Sequence, residues 1–402
     1  MQLSEVVNFQ NGFAFKSKDF KKNGNYKVIK IKEIKDGSVK FFSDTATVDL
    51  EDLKSYDKYI IKKGDILFAL TGDPVSKKNP LSWVGRVAIY NHDELALLNQ
   101  RVCKLIPNEK INPKYIYYYF REFDNFYKLA SIAKGSASQA NISTKDIGNT
   151  EINIPSIEIQ NKIVEFLDSI SNKISLNEKI NNNLEQQISS IFVNMFGSAI
   201  DSLNNNDIKL GDLIESIDNR GKTPPLSKEP TFYPIIDVKA LSGNSRIIDY
   251  NNCTKYVSEE TYKTWFRNGH PTKYDILIST VGSIAEMKIF LDDIGCIAQN
   301  VVGFRTKGIS ALYLYQYLNY IKNDLVTYNI GSVQPSIKVT HIIKHSIYVA
   351  PQNKIDTFDN IAHSITEKIF ANYKENKRLK EIRDTFLPKL ISGELDISTI
   401  KL

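Results

Sequence analysis

Ile163-Val164-Glu165-Phe166-Leu167-Asp168-Ser169-Ile170-Ser171-Asn172-Lys173-Ile174-Ser175-Leu176-Asn177-Glu178-Lys179-Ile180-Asn181 is the stretch on which the reading of the whole chain turns. Its apolar residues at Ile163, Leu167, Ile170 and Ile174 step by four and three, and the steps resume at Leu184, Ile188, Ile191 and Met195. That spacing predicts a long helix with a heptad seam. The two seam positions left over are Asn177 and Asn181. An offset of 195 carries the whole seam onto Phe358, Ala362, Ile365, Ile369, Asn372, Asn376 and Leu379, so both asparagines recur. A polar pair at one height in two facing seams costs stability and fixes alignment, and Asn177, Asn181, Asn372 and Asn376 are read as coiled-coil register residues. The plainer alternative leaves them exposed at a drift in the seam. Gln160-Asn161-Lys162-Ile163 also recurs as Gln352-Asn353-Lys354-Ile355 at an offset of 192, but 195 preserves the full seam.

Outward from the helices the chain is written twice. Gly135-Ser136-Ala137-Ser138-Gln139-Ala140-Asn141-Ile142 reappears as Gly331-Ser332-Val333-Gln334-Pro335-Ser336-Ile337. Each is followed by an apolar-alternating stretch read as a strand, Ile152 to Pro155 and Ile347 to Pro351, then by a helical pattern. Upstream, Lys63-Gly64-Asp65-Ile66-Leu67 matches Lys273-Tyr274-Asp275-Ile276-Leu277, and Asn99-Gln100-Arg101-Val102 loosely matches Gln299-Asn300-Val301-Val302. Tyr115-Ile116-Tyr117-Tyr118-Tyr119-Phe120 lines up with Tyr313-Leu314-Tyr315-Gln316-Tyr317-Leu318; these tyrosines are read as a helix core face in preference to a base-stacking surface. Order is kept while spacing drifts, as in two diverged copies of one module.

Composition bounds the function. The 402 residues, 42% apolar and 24% charged, suffice for two or three folded domains and exclude both a single small domain and a disordered chain. The net charge of +6 suits a nucleic-acid partner without demanding one. Residues 1–155 hold 24 Lys and Arg against 18 Asp and Glu, residues 207–350 only 16 against 14, so the first copy is the more basic. No apolar run approaches a membrane span and no secretory leader opens the sequence, so a cytoplasmic location is expected. Cys103, Cys253 and Cys296 are too dispersed for a disulfide framework or a zinc site. His341 and His345 stand four apart, but Val339-Thr340-His341-Ile342-Ile343 reads as a strand, on which they could not chelate one ion.

The closing run Glu375-Asn376-Lys377-Arg378-Leu379-Lys380-Glu381-Ile382-Arg383-Asp384-Thr385-Phe386-Leu387-Pro388-Lys389-Leu390-Ile391-Ser392-Gly393-Glu394-Leu395 resembles the C-terminal signature of the specificity subunits of type I restriction-modification systems. The opening Asn11-Gly12-Phe13-Ala14-Phe15-Lys16-Ser17, the strand read at Gly64 to Leu67 and the Gly135 to Ser143 segment are similar to that family too, so the resemblance spans the chain. Two departures lie in the second copy: Tyr274 stands where the first has Gly64, and its Gly-Ser segment is one residue shorter before the glutamine. The resemblance implies an α/β (α+β) fold in which two similar target-recognition domains alternate with two long helices forming an antiparallel coiled coil. The corresponding boundaries are 1–155 for the first recognition domain, 156–200 for the central helix, 201–351 for the second domain and 352–402 for the C-terminal helix and tail. It implies a non-catalytic subunit of a bacterial or archaeal phage-defence system that binds double-stranded DNA. That subunit would read a bipartite, asymmetric target with a fixed spacer and direct two methyltransferase subunits and the restriction translocase subunits to it. No cofactor would sit in this chain; S-adenosylmethionine, ATP and magnesium would belong to the partner subunits.

Within the residues themselves, neither a phosphate-binding loop nor an Asn/Asp-Pro-Pro-Tyr/Phe methyltransferase motif occurs. A rival reading is a magnesium-dependent nuclease built from Asp275, Glu286 and Lys288, whose spacing fits two metal-holding acids and a water-activating lysine. A third is a coiled-coil scaffold for other proteins. For DNA, cations on loops supply affinity and polar side chains supply base readout. The candidates in the first copy are Lys16, Ser17, Lys77, Lys78, Arg86, Ser136, Ser138, Gln139 and Asn141. In the second they are Arg220, Lys222, Thr223, Ser332, Gln334 and Ser336. Each taken singly could equally be a solvated loop residue or a turn cap.

Overall fold

The structure is a computed structural model that describes residues 1–50, 53–74, 83–136, 139–203 and 207–399. The chain divides into two compact units: Met1–Asn172 with Leu379–Leu402, and Lys173–Arg378. Each unit therefore combines one α/β module with parts of both long helices, Ile157–Phe192 and Gln352–Ser392.

In the first unit a six-stranded sheet has the order Val7–Asn11, Val102–Pro107, Ile66–Ala69, Val87–Ile89, Ser38–Val39, Ile34–Lys35. All its pairings are antiparallel except that of Val87–Ile89 with Ser38–Val39. A five-stranded sheet and a small three-stranded one complete the module. The helix Pro113–Arg121 starts where Asn112 accepts the Lys114 N–H and Pro113 supplies a preset φ at the first turn. The second unit repeats the heart of this plan. Its four-stranded antiparallel sheet runs Ile214–Ile217, Val301–Thr306, Ile276–Ser279, Met287–Ile289, the order of the first four strands above. The tyrosine-rich helices bury Tyr115, Tyr118 and Tyr119 in one unit and Tyr313, Tyr315 and Tyr317 in the other, as core. Their buried hydroxyls need partners, and Tyr115 and Tyr313 donate to equivalent backbone carbonyls, Asn153 O and Tyr348 O.

Both repeats make the same turn before the central strand. Gly64 and Tyr274 have φ of +94° and +73°, and their N–H groups donate to Tyr90 O and Phe290 O. Asp65 and Asp275 then accept the N–H of Lys62 and Thr272. The tyrosine occupies a left-handed conformation that glycine adopts freely, and its hydroxyl is hooked to Glu367 Oε1 at 2.8 Å.

Three expectations are corrected. Val339–Ile342 is a short helix, not a strand: Val339 and Ile342, three apart, bury one face, and His345 lies beyond its end with Nδ1 against the Tyr328 hydroxyl. The stretches Ile152 to Pro155 and Ile347 to Pro351 are extended segments rather than strands. Each has a single adjacent bridge, Gln2 with Glu151 and Lys209 with Ser346, and the prolines withhold ladder donors. The segment at Gly64 to Leu67 enters its strand only at Ile66, because Gly64 and Asp65 form the turn.

The helices are held inside each unit by different chemistry. In the first unit Ile163, Val164 and Leu167 join a core with Leu387, Leu390 and Ile391, and the Phe166 and Phe386 rings lie 5.6 Å apart. Gln160, fully buried, accepts from Asn112 N and donates to Lys110 O and Pro155 O, tying the central helix to its module. In the second unit the buried Arg246 donates to both Glu185 carboxylate oxygens and to the Thr366 hydroxyl, joining the module to both helices. Here Ile188, Phe192, Phe358, Ala362 and Ile369 are buried together. The seam drifts from Ile191 and Met195 onto Phe192 and Phe196 as the helix passes into a wider turn over Val193–Gly197.

Also in the second unit, Asn177 Nδ2 donates to Asn376 Oδ1 at 2.9 Å and Asn372 Nδ2 to Asn181 Oδ1 at 2.7 Å, so these stretches run antiparallel. Asn177 gives its other amide hydrogen to Glu375, and Asn376 donates to Ile174 O. Asn177 and Asn376 are 1% and 7% exposed, so removing either leaves the other's buried amide without its partner. Asn177→Ala should lower the unfolding free energy by about 1–3 kcal/mol, whereas Asn177→Leu combined with Asn376→Leu should restore most of that stability. Urea denaturation of the full chain decides: equal destabilisation in the single and double variants would mean that the amides are not coupled.

Candidate nucleic-acid interface

Each unit carries a polar turn laid against the end of its central strand. In the first, the chain leaves Ile66–Ala69 and continues as Thr71–Gly72, against which Gln139–Asn141 pairs, itself paired with Lys134–Ser136. Ile142 N donates to Leu70 O at 2.9 Å and the Thr71 hydroxyl to Asn141 Oδ1 at 3.0 Å. In the second, Val281 bridges Ser336, Ile337 N donates to Thr280 O at 2.9 Å and Gly282 N to Pro335 O. Asn329 Oδ1 clamps the base of this turn by accepting from Gly331 N and Ser336 N, and Val333 at its tip is 98% exposed.

The remaining candidates fall around these turns unevenly. Gln139 is half-buried and Asn141 exposed on the small sheet; Ser136 lies on its first strand. Lys77, Lys78 and Ser138 lie outside the described residues. Arg86 is half-buried with its guanidinium 4.5 Å from the centre of the Trp83 ring, and burial pulls its pKa down. Lys16 and Ser17 are exposed on a separate turn leading into the five-stranded sheet. In the second unit Ser332 and Gln334 are exposed and Ser336 is half-buried. Thr223 accepts from Gln299 Nε2 at 3.0 Å, and the neighbouring Asn300 carbonyl accepts the Thr280 N–H, so Thr223 and the Ser336 turn share one edge. Arg220 is exposed and braced by Asp218, whose two oxygens each accept from its Nε at 2.8 Å; Lys222 is exposed beside it.

Some residues of this surface escape sequence reasoning. Asn219 donates to Gly269 O and accepts from Asn268 N, which brings the exposed Arg267 alongside the Arg220 loop. Arg101 is exposed, and its carbonyl accepts Leu70 N as Asn300 O accepts Thr280 N. That register matches Arg101 to Asn300 and Gln100 to Gln299, one residue off the match read from the letters. Arg267 leaves no signal in the sequence, because the clamp joins segments about 50 residues apart.

The nuclease reading is not supported. Asp275 is buried and takes the Arg305 Nη2 hydrogen bond at 2.8 Å, and Glu286 pairs with Lys322 at 2.9 Å. Lys288 is 1% exposed, donates to Gly243 O and Ser245 O, and is pushed down to about 8 by burial. All three side chains are consumed in holding the sheet and its loops. Among the described residues no helix is long and apolar enough to cross a membrane, and no group of three or more His, Cys, Asp or Glu could hold a metal ion.

The chain is similar in sequence to the putative type I restriction enzyme MjaX specificity subunit of Methanocaldococcus jannaschii, at 24% identity over 99% of this chain and 92% of that one. The type I restriction enzyme HindI specificity subunit of Haemophilus influenzae is also 24% identical, over 86% of this chain and 90% of its own length. In fold it is similar to the crystal structure of a type I restriction-modification system S subunit from M. genitalium, with a TM-score of 0.55 at 17% identity, covering 97% and 95% of the two chains. The family model described as type I restriction modification DNA specificity domain matches residues 1–186 and again 203–382, and on that evidence of two tandem matches the chain belongs to the type I restriction-modification specificity family.

Proposed function

We propose that this chain is the DNA-recognition subunit of a type I restriction-modification complex and reads a two-part target with a fixed gap, one part per module. The observation that carries this reading is the repetition of the polar turn in one hydrogen-bonding frame, Ile142 N to Leu70 O and Ile337 N to Thr280 O, at the end of the same sheet strand. Rigid strands position the turn, while the side chains around it differ between copies: Arg101 against Asn300, Asn141 against Ser336. Different side chains in one frame read different letters, so the target is asymmetric. The paired helices set the gap, with Asn177, Asn181, Asn372 and Asn376 holding their register. The recognition domains are assigned to residues 1–155 and 201–351, and the spacers to 156–200 and 352–402.

The chain supplies no chemistry of its own in this reading. Two methyltransferase subunits and the restriction subunits dock on it and bring S-adenosylmethionine, ATP and magnesium. Among the DNA contacts, Lys222, Arg220 and Arg267 neutralise phosphates for the second module, and Lys16, Lys77, Lys78 and Arg86 do so for the first. Ser17, Ser136, Ser138, Gln139, Asn141, Thr223, Ser332, Gln334 and Ser336 supply polar contacts to bases and sugar.

Mapping adenine methylation in cells carrying this chain and its methyltransferase should return a two-part motif with one gap length. Inserting one heptad into both helices should change that gap and leave the letters of both halves intact; altered letters would break the division of labour between modules and helices. Lys222→Ala combined with Arg267→Ala should weaken DNA binding by the complex at all sequences alike and flatten the dependence of log K on log salt by about one unit for each phosphate no longer neutralised. Binding that ignores salt would point instead to a protein scaffold.

A further inference from the structure

An arginine on the loop after strand Ile214–Ile217 is held in one orientation by a carboxylate. Asp218 Oδ1 and Oδ2 each accept from Arg220 Nε at 2.8 Å, Oδ2 also accepts from Nη2, and Oδ1 accepts the Arg220 backbone N–H at 3.1 Å. The brace is itself fixed. Asn268 Nδ2 donates to Asp218 O, Asn219 Nδ2 to Gly269 O at 2.9 Å and Asn268 N to Asn219 Oδ1 at 3.1 Å. A carboxylate placed side-on consumes Nε and one Nη2 hydrogen, which leaves the parallel fork on Nη1 and Nη2 intact. That fork has no acceptor among the described residues, and the side chain is 42% exposed.

The first module has nothing equivalent. Gln10 pairs with Lys104 and Ile217 with Gly303, and Lys104 and Gly303 lie opposite the matching residues Leu67 and Leu277. In that register Asn11 stands where the second module has Asp218, and Phe13 where it has Arg220. Phe13 is packed into its own module, with its ring 4.9 Å from Phe15 and 5.1 Å from Tyr56. A buried-side anchor in one copy is a presented cation in the other.

As a phosphate contact alone Arg220 would serve better unpaired, because Asp218 cancels the charge that a phosphate attracts. The neighbouring Lys222 offers that charge on a mobile stem. A base edge carries no net charge and rewards orientation. Two parallel donors fit the adjacent acceptors O6 and N7 of guanine, whereas adenine sets its own N6 donor against them. The loop also reaches the right place, since Thr223, three residues on, shares an edge with the Ser336 turn.

We propose that Arg220 is a specificity residue of the second module, donating through Nη1 and Nη2 to O6 and N7 of one guanine, with Asp218 as its positioning residue. The second half-site then contains a G·C pair for which the first module has no arginine in the same place. The last Nη1 hydrogen remains for a phosphate oxygen. This rests on the DNA-reading function proposed above.

The test uses the full chain expressed with its methyltransferase, with methylated adenines mapped across the genome. Arg220→Ala should narrow the preference for that G·C pair over other pairs roughly 10- to 100-fold and leave the first half-site unchanged, which reports a folded, assembled complex. Asp218→Ala keeps the positive charge and frees the side chain, so it should relax the same letter. Asp218→Asn, which retains an oxygen for Nε, should restore most of the preference. A second half-site without a G·C pair overturns the proposal, as does uniform weakening by Arg220→Ala with every letter kept. Asp218→Ala that keeps all letters and binds every sequence more tightly also overturns it and leaves Arg220 a phosphate contact only. A wild-type complex that methylates no two-part motif would instead sink the functional reading itself.

Discussion

A buried amide must find a partner, and in this chain two helices supply it to each other. Asn177 and Asn181 correspond by repeat to Asn372 and Asn376, yet the bonded pairs are Asn177 with Asn376 and Asn181 with Asn372. That crossed pairing is what an antiparallel pair of equivalent helices demands: each residue meets the counterpart of its neighbour, and a local pseudo-twofold axis passes between the pairs. A slip of one turn would leave amides facing Ile174 or Ile369 side chains, each stranded group costing about 1–3 kcal/mol. An all-apolar seam would tolerate the slip. In the register role proposed for them, the polar pairs give up hydrophobic burial in exchange for one alignment.

Much of this was legible in the sequence, because it rests on periodicity and repetition. The heptad steps mark both helices, and the offset of 195 singles out the four asparagines as a set. The buried tyrosines follow from their spacing on a helix with apolar neighbours. What the letters hide depends on contacts between distant segments. Val339 to Ile343 has four β-branched residues in five yet folds as a helical turn, because Val339 and Ile342 share a buried face. The close approach of Gly135 and Gly331 to glutamine carbonyls is a three-dimensional fact with no counterpart in composition. The meeting of Arg267 with the Arg220 loop depends on one asparagine reaching across to another segment.

The duplication also shows which parts of a module are negotiable. The aspartate at the turn is kept as Asp65 and Asp275, but its basic partner has moved along the neighbouring strand. Lys104 sits opposite Leu67, while Arg305 lies two positions further on in the equivalent frame. Charge balance at the turn was retained and its supplier replaced. The nuclease-like trio illustrates the same economy from the other side, since Asp275 is half of this structural ion pair and Lys288 is a buried tie for a loop.

The left-handed turn of the second copy sets a limit on modularity. Gly64 and Gly85 hold their conformations by being glycines; their counterparts Tyr274 and Ala285 adopt the same positive φ with a Cβ present. Such a residue costs about 1–2 kcal/mol. Tyr274 offsets this by anchoring its hydroxyl to Glu367 and His363 on the C-terminal helix. The first module therefore carries its turn within itself, while the second leans on a helix that lies outside its own sequence span. As parts for grafting the two are not equal: the first can be lifted onto foreign helices at this turn, and the second must travel with Glu367 and His363 or arrive strained.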